Sequence, residues 1–84
     1  MSELELSERI FKIFDNLNIE VPSEDTDLFE SGLLDSLTFV ELLVQVEEQM
    51  GVTVTLENLE PDNFRSIRRI ASFVLADQQL RNAS

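Results

Sequence analysis

Apolar residues recur at spacings of three and four in three stretches of the chain, which is the period of helices with one face toward a core. Leu6, Ile10, Ile13, Phe14 and Leu17 predict a first helix over residues 4–17, with Ser7, or Ser2 ahead of Glu5, available to cap its start. A second helix is predicted over residues 36–50 and ended by Gly51, which can take a left-handed conformation. Ile67, Ile70, Ala71, Val74 and Leu75 form the apolar face of a third, over residues 66–80. Residues 18–35 make a long connection with many turn formers: Pro22, Ser23, Asp25, Asp27, Ser31 and Gly32. A loop of that length needs anchors, and Val21, Leu28, Phe29, Leu33 and Leu34 can supply them. Val52-Thr53-Val54-Thr55-Leu56 alternates as a strand does, but a lone strand has no partner, so extended loop is expected. Leu59, Pro61 and Phe64 predict a short helical turn over residues 57–64. The sum is an all-α fold, a small bundle of three main helices and one short turn, with residues 1–84 as a single domain.

The second helix carries two apolar stripes instead of one. At about 100° per residue, Phe39, Leu42, Leu43, Val46 and Met50 cluster on one side, and Leu37, Val40 and Val44 lie nearly opposite. Either the helix is wedged between its neighbours and buried all round, or one stripe faces outward for a partner. Glu41, Glu47 and Glu48 flank the smaller stripe, and buried carboxylates without partners are costly. The second arrangement places the larger stripe in the core and leaves Leu37, Val40 and Val44 as a narrow apolar strip rimmed by acids.

Composition narrows the chemistry. The chain has 84 residues with 17 Asp and Glu against 6 Lys and Arg, a net charge of −11. A polyanion or an anionic membrane surface would be repelled, so neither nucleic acid nor membrane insertion is expected. Cys and His are both absent, which removes thiol nucleophiles, disulfides, imidazole acid–base work and the usual zinc ligands. No independent enzyme is expected. The acidic N-terminus lacks the basic start and apolar run of a signal peptide, so a cytoplasmic monomer is the expectation. Acids dominate residues 1–64, whereas Arg65, Arg68, Arg69 and Arg81 make the last segment basic, which suggests attraction between the two parts or docking of a partner on the acidic one. No metal site is expected: with Gly32 at the sixth position of a calcium loop, Phe29 would fall at the third, where an oxygen ligand is required. Loose divalent binding that relieves repulsion among the acids would add modest stability.

The second helix opens with Gly32-Leu33-Leu34-Asp35-Ser36-Leu37. Asp and Ser are both favoured as N-caps; were Ser36 the cap, Ser36→Ala would cost about 0.5–2 kcal/mol. A serine hydroxyl there would also lie beside free backbone N–H groups and the positive end of the helix dipole, where a phosphate ester is well placed.

The run Asp27-Leu28-Phe29-Glu30-Ser31-Gly32-Leu33-Leu34-Asp35-Ser36-Leu37, followed by Val40-Glu41-Leu42 and Glu47-Glu48, resembles the acyl and peptidyl carrier proteins. The resemblance extends from about Leu6 to Val74. It implies an acyl-carrier-like bundle in which Ser36 receives 4′-phosphopantetheine from coenzyme A and Asp35 is read by the modifying phosphopantetheinyl transferase, where it helps to hold that enzyme's metal ion. The thiol that ends the arm would then carry the cargo as a thioester, in a chain that has no sulfhydryl of its own. Leu37, Val40, Glu41, Val44, Glu47 and Glu48 match the surface on which partner enzymes dock: the transferase, an acyl- or aminoacyl-loading enzyme, and a downstream transferase or synthase.

Thr38 stands where fatty-acid carriers often have an acid, Val44 where they often have Met, and the segment from Pro61 to Ile70 is more basic than theirs. The Leu-Phe-Glu-Ser-Gly-Leu-Leu-Asp-Ser run is more similar to stand-alone carriers of specialised biosynthetic pathways, and to D-alanyl carriers of cell-wall polymer modification. The rival expectation is a small acidic helical adaptor that binds through the same strip and bears no prosthetic group.

Overall fold

The computed structural model describes residues 2–55 and 60–82. Helix α1 spans Glu3–Asn16, α2 spans Ser36–Met50 and α3 spans Ile67–Asn82, with a 3₁₀ turn at Pro61–Phe64 before α3. Among the described residues no strand forms. Residues 52–55 run as extended loop with Val52 buried, and the part of the predicted turn at 57–59 lies outside the described residues.

Each helix begins on a side-chain cap. The Ser2 hydroxyl accepts from the Glu5 N–H at 3.2 Å, with Glu3 and Glu5 in the first turn complementing the helix dipole. Ser7 is the wrong candidate for that cap, because it sits a turn later inside α1 and is buried. Leu17, expected to be helical, is the residue that closes α1. Asn18 follows it in the left-handed region at φ 61°, and the chain turns back so that the Ile19 N–H donates to the Phe14 carbonyl at 2.9 Å. Ser66, expected in the third helix, lies just outside it as its cap, its hydroxyl accepting from the Arg69 N–H at 3.2 Å.

The core forms where the apolar faces meet. α1 contributes Leu6, Ile10, Ile13 and Phe14, α2 contributes Leu42, Val46 and Met50, and α3 contributes Ile67, Ile70, Ala71 and Val74. α3 packs chiefly against α1, and α1 also meets α2. Phe64, from the 3₁₀ turn, is wholly buried among them.

The long α1–α2 loop is tied into this core at several points. Leu28 and Leu34 are buried, and Val21, Phe29 and Leu33 pack against the core at its edge. The Leu28 N–H donates to the Arg65 carbonyl at 2.7 Å, and the Arg68 N–H to the Glu24 carbonyl at 2.9 Å. The basic C-terminal segment does attract the acidic body. Arg68 holds Asp25 at 2.6 Å and Glu24 at 3.1 Å, while Arg65 reaches Asp27 at 3.5 Å and Asp62 at 2.8 Å. The Arg68 guanidinium keeps the Asp25 carboxyl below its usual range. The Arg68 pairs are largely exposed and the Arg65–Asp27 pair is only partly buried, so they steer the loop more than they stabilise it.

Gly51 ends α2 at φ 68°, its N–H donating to the Glu47 carbonyl at 3.1 Å. A Cβ there would meet nothing within 4 Å, so the cost of a side chain is purely that of the left-handed backbone. Gly51→Ala is therefore expected to destabilise by about 1–2 kcal/mol in urea denaturation, and Gly51→Asn by less. An unchanged midpoint for the alanine variant would contradict this account of the helix end.

Candidate functional site

The approach to α2 is built by a short relay of hydrogen bonds. One carboxylate oxygen of Asp27 accepts from the N–H groups of Phe29 and Glu30 at 3.0 and 2.9 Å, which closes a turn. The Ser31 N–H donates to the Asp27 carbonyl at 3.0 Å, and Gly32, at φ 78°, donates to the Phe29 carbonyl at 3.1 Å. That left-handed residue reverses the chain, and the Leu34 N–H then reaches the Leu28 carbonyl at 3.0 Å. With the side chains of Leu28 and Leu34 sunk in the core, the next residue emerges at the surface.

That residue is Asp35, and it is the N-cap. Its backbone is extended, its carboxylate accepts from the Thr38 N–H at 2.8 Å, and its carbonyl accepts from the Phe39 N–H at 2.8 Å. The Thr38 N–H foremost, then the Thr38 hydroxyl and the Leu37 N–H, hold the Asp35 carboxyl below its ordinary value of 3.8. Ser36 is consequently the first helical residue and not the cap, which corrects the stability cost expected for its removal. Its hydroxyl is free of capping duty, and the residue is exposed.

The arrangement suits an ester of phosphoric acid. By helix geometry the first-turn amides have no carbonyl partner one turn upstream, and the dipole's positive end lies with them. An exposed Ser36 at this end fits covalent attachment of a phosphopantetheine arm. Asp35 adjoins it, its carboxyl held below the ordinary value by the bonds it accepts from the start of the helix.

Along α2 the two stripes separate cleanly. Leu42, Val46 and Met50 are buried and Phe39 and Leu43 pack at the core's edge, whereas Leu37, Val40 and Val44 are 71%, 54% and 48% exposed. Glu41, Glu47 and Glu48 are exposed beside them, so the wedged arrangement is excluded. Among the described residues, ion pairs engage Glu24, Asp25, Asp27 and Asp62, and none engages Glu41, Glu47 or Glu48. Among the described residues, the acids of α2 thus face solvent without an ion-pair partner. Sequence reasoning missed three contributors: the Asp27 turn, the Thr38 hydroxyl and the Arg65 carbonyl. Asp27 alone had a signal, as a turn former ahead of Gly32.

A family described as a phosphopantetheine attachment site matches residues 9–74. D-alanyl carrier proteins of Streptococcus pyogenes serotypes M5 (strain Manfredo), M49 (strain NZ131) and M1 are each 34% identical to the chain over 73 residues, which cover 84% of it and 92% of their own length.

The cap assignment has a pH signature. A carboxylate whose pKa is depressed by folding stabilises the fold above its unfolded pKa, and that contribution fades as pH falls through the folded value. The gap in melting temperature between the wild type and Asp35→Ala should be full above about pH 5 and close as the pH drops below about 4. Ser36→Ala should lie within about 0.5 kcal/mol of the wild type, because the cap is retained. Thermal melts of the three proteins across pH check both statements; a gap independent of pH, or a large loss in Ser36→Ala, would contradict them.

Proposed function

The chain belongs to the carrier proteins that bear covalent 4′-phosphopantetheine, and from that premise we propose that Ser36 is its attachment residue. The observation that carries this reading is the exposed hydroxyl of Ser36 at the capped start of α2, with Asp35 beside it. When attached, the group supplies a thiol that holds the cargo as a thioester. Ser36 anchors the arm, and the first-turn amides favour the negative charge of the phosphodiester. Asp35 fixes the helix start and offers a charged mark for the modifying transferase.

Leu37, Val40 and Val44, with Glu41, Glu47 and Glu48 around them, form the docking surface in this reading. Three exposed aliphatic side chains give a weak apolar contact, and the acidic rim steers a basic partner toward it. Such a pairing favours rapid encounter and easy release, as a shuttle visiting several enzymes requires. The partners are the phosphopantetheinyl transferase, a loading enzyme for an acyl or aminoacyl group, and a downstream transferase or synthase. The chemistry belongs to them, in the cytoplasm, and residues 1–84 act as one carrier domain within a biosynthetic pathway. A D-alanyl cargo is a second reading, favoured by the name its relatives carry.

Incubation with coenzyme A and a broad-specificity transferase, followed by intact-mass measurement, tests the attachment residue. The wild type should gain the mass of one phosphopantetheinyl group and Ser36→Ala none; modification of the variant would assign the site elsewhere. Affinity for the transferase should weaken several-fold between about 0.1 and about 1 M salt, as the Debye length falls from about 10 to about 3 Å. Binding by calorimetry that is indifferent to salt would contradict the steering role of the acids.

A further inference from the structure

Two main-chain bonds tie the approach to α2 to the start of α3. The Leu28 N–H donates to the Arg65 carbonyl at 2.7 Å, and the Leu28 carbonyl accepts from the Leu34 N–H at 3.0 Å, two residues short of Ser36. A side-chain path runs beside this one. The Asp27 carboxylate uses one oxygen, Oδ1, to close the turn on the N–H groups of Phe29 and Glu30, at 3.0 and 2.9 Å. Its other oxygen, Oδ2, lies 3.5 Å from Nη1 of Arg65. One carboxylate thus joins the turn ahead of Ser36 to a residue 38 positions along the chain.

Stability does not account for this clasp. The Arg65 side chain is 44% exposed and the Asp27 side chain 25%, and ion pairs so open to solvent contribute little. Nε of Arg65 is buried and finds no acceptor among the described residues, which counts against the folded state. What the clasp restrains is the turn, and the turn sets where the chain enters α2.

We propose that Asp27 and Arg65 are positioning residues for the modification of Ser36, their pair holding the turn so that the hydroxyl meets the transferase in the orientation that transfer requires. In that step the Ser36 hydroxyl oxygen bonds to the phosphorus of the arm. That phosphorus gives up its bond to the nucleotide phosphate of coenzyme A, and the hydroxyl proton passes to a base of the transferase. Asp27 and Arg65 act through the backbone and not on the reacting atoms. A misplacement of about 1 Å can cost about 100-fold in rate, so a loosened turn shows in the chemical step before it shows in the fold. This inference rests on the reading of Ser36 as the attachment residue and adds what orients it.

Asp27→Asn keeps an oxygen for the Phe29 and Glu30 amides and loses the charge that faces Arg65. Arg65→Gln removes the guanidinium and keeps the carbonyl that accepts from Leu28. Single-turnover modification by excess transferase with coenzyme A, followed by intact mass, reads the chemical step. Calorimetry with the same changes placed in Ser36→Ala protein reads affinity without reaction. Each single variant should be modified about tenfold more slowly, with affinity and melting temperature close to those of the wild type. The double variant should also lose about tenfold, and not about a hundredfold, because both changes remove one interaction. Rates within about twofold of the wild type in both single variants would overturn the inference. So would losses that multiply in the double variant, a fall in affinity that matches the fall in rate, or a large drop in melting temperature. A wild type that gains no mass, or gains it away from Ser36, is a different result: it removes the attachment reading and this inference with it.

Discussion

The rotation of α2 about its own axis governs the rest of the structure. Leu42 and Val46 have no exposure and Met50 has 7%, and burying side chains of this kind stabilises by about 1.5–3 kcal/mol each. Turning the helix to bury Leu37, Val40 and Val44 instead would draw Glu41, Glu47 and Glu48 inward without partners, at several kcal/mol each by the cost of uncompensated charge. Both effects favour the same orientation. With it fixed, the start of α2 faces outward, and Ser36 and the acid-rimmed strip share the exposed surface.

The loop ahead of α2 holds that start in place by modest means. Two buried leucines and the bond from the Leu28 N–H to the Arg65 carbonyl are its firm attachments. Arg65 and Arg68 add partly to largely exposed ion pairs to Asp27, Asp25 and Glu24, which guide the loop without adding much stability. These pairs also set some acids apart. Glu24, Asp25 and Asp27 of the loop are matched within the molecule, whereas among the described residues no ion pair engages Glu41, Glu47 or Glu48 of α2. A net acidic composition thereby becomes a directional surface.

Much of this was legible in the sequence because helical period reports which face of a segment is apolar. The bounds of α2 and its glycine stop follow from local pattern, as does the choice of buried stripe once the glutamates are placed. The cap was not legible: Asp35 and Ser36 are both good N-caps, and only the backbone path out of Leu34 decides between them. Ser7 misled for a related reason, since a capping serine and a buried one look alike in sequence. The ring contacts that join Phe29 to Phe39, Phe39 to Phe64 and Phe64 to Phe73 lay further out of reach. These rings come from four separate segments, and period shows that a ring points inward without showing which ring it meets.

The absence of cysteine from the chain makes the orientation of α2 directly measurable. Single cysteines introduced along α2, one position at a time, can be followed by thiol-labelling rate under native conditions. Ser36→Cys, Leu37→Cys, Val40→Cys and Val44→Cys should label at rates close to those of a free peptide, and Leu42→Cys and Val46→Cys only on unfolding. Protection at 36, 37, 40 or 44, or rapid labelling at 42 and 46, would mean that the helix presents a different face and that the hydroxyl and strip do not share the surface described.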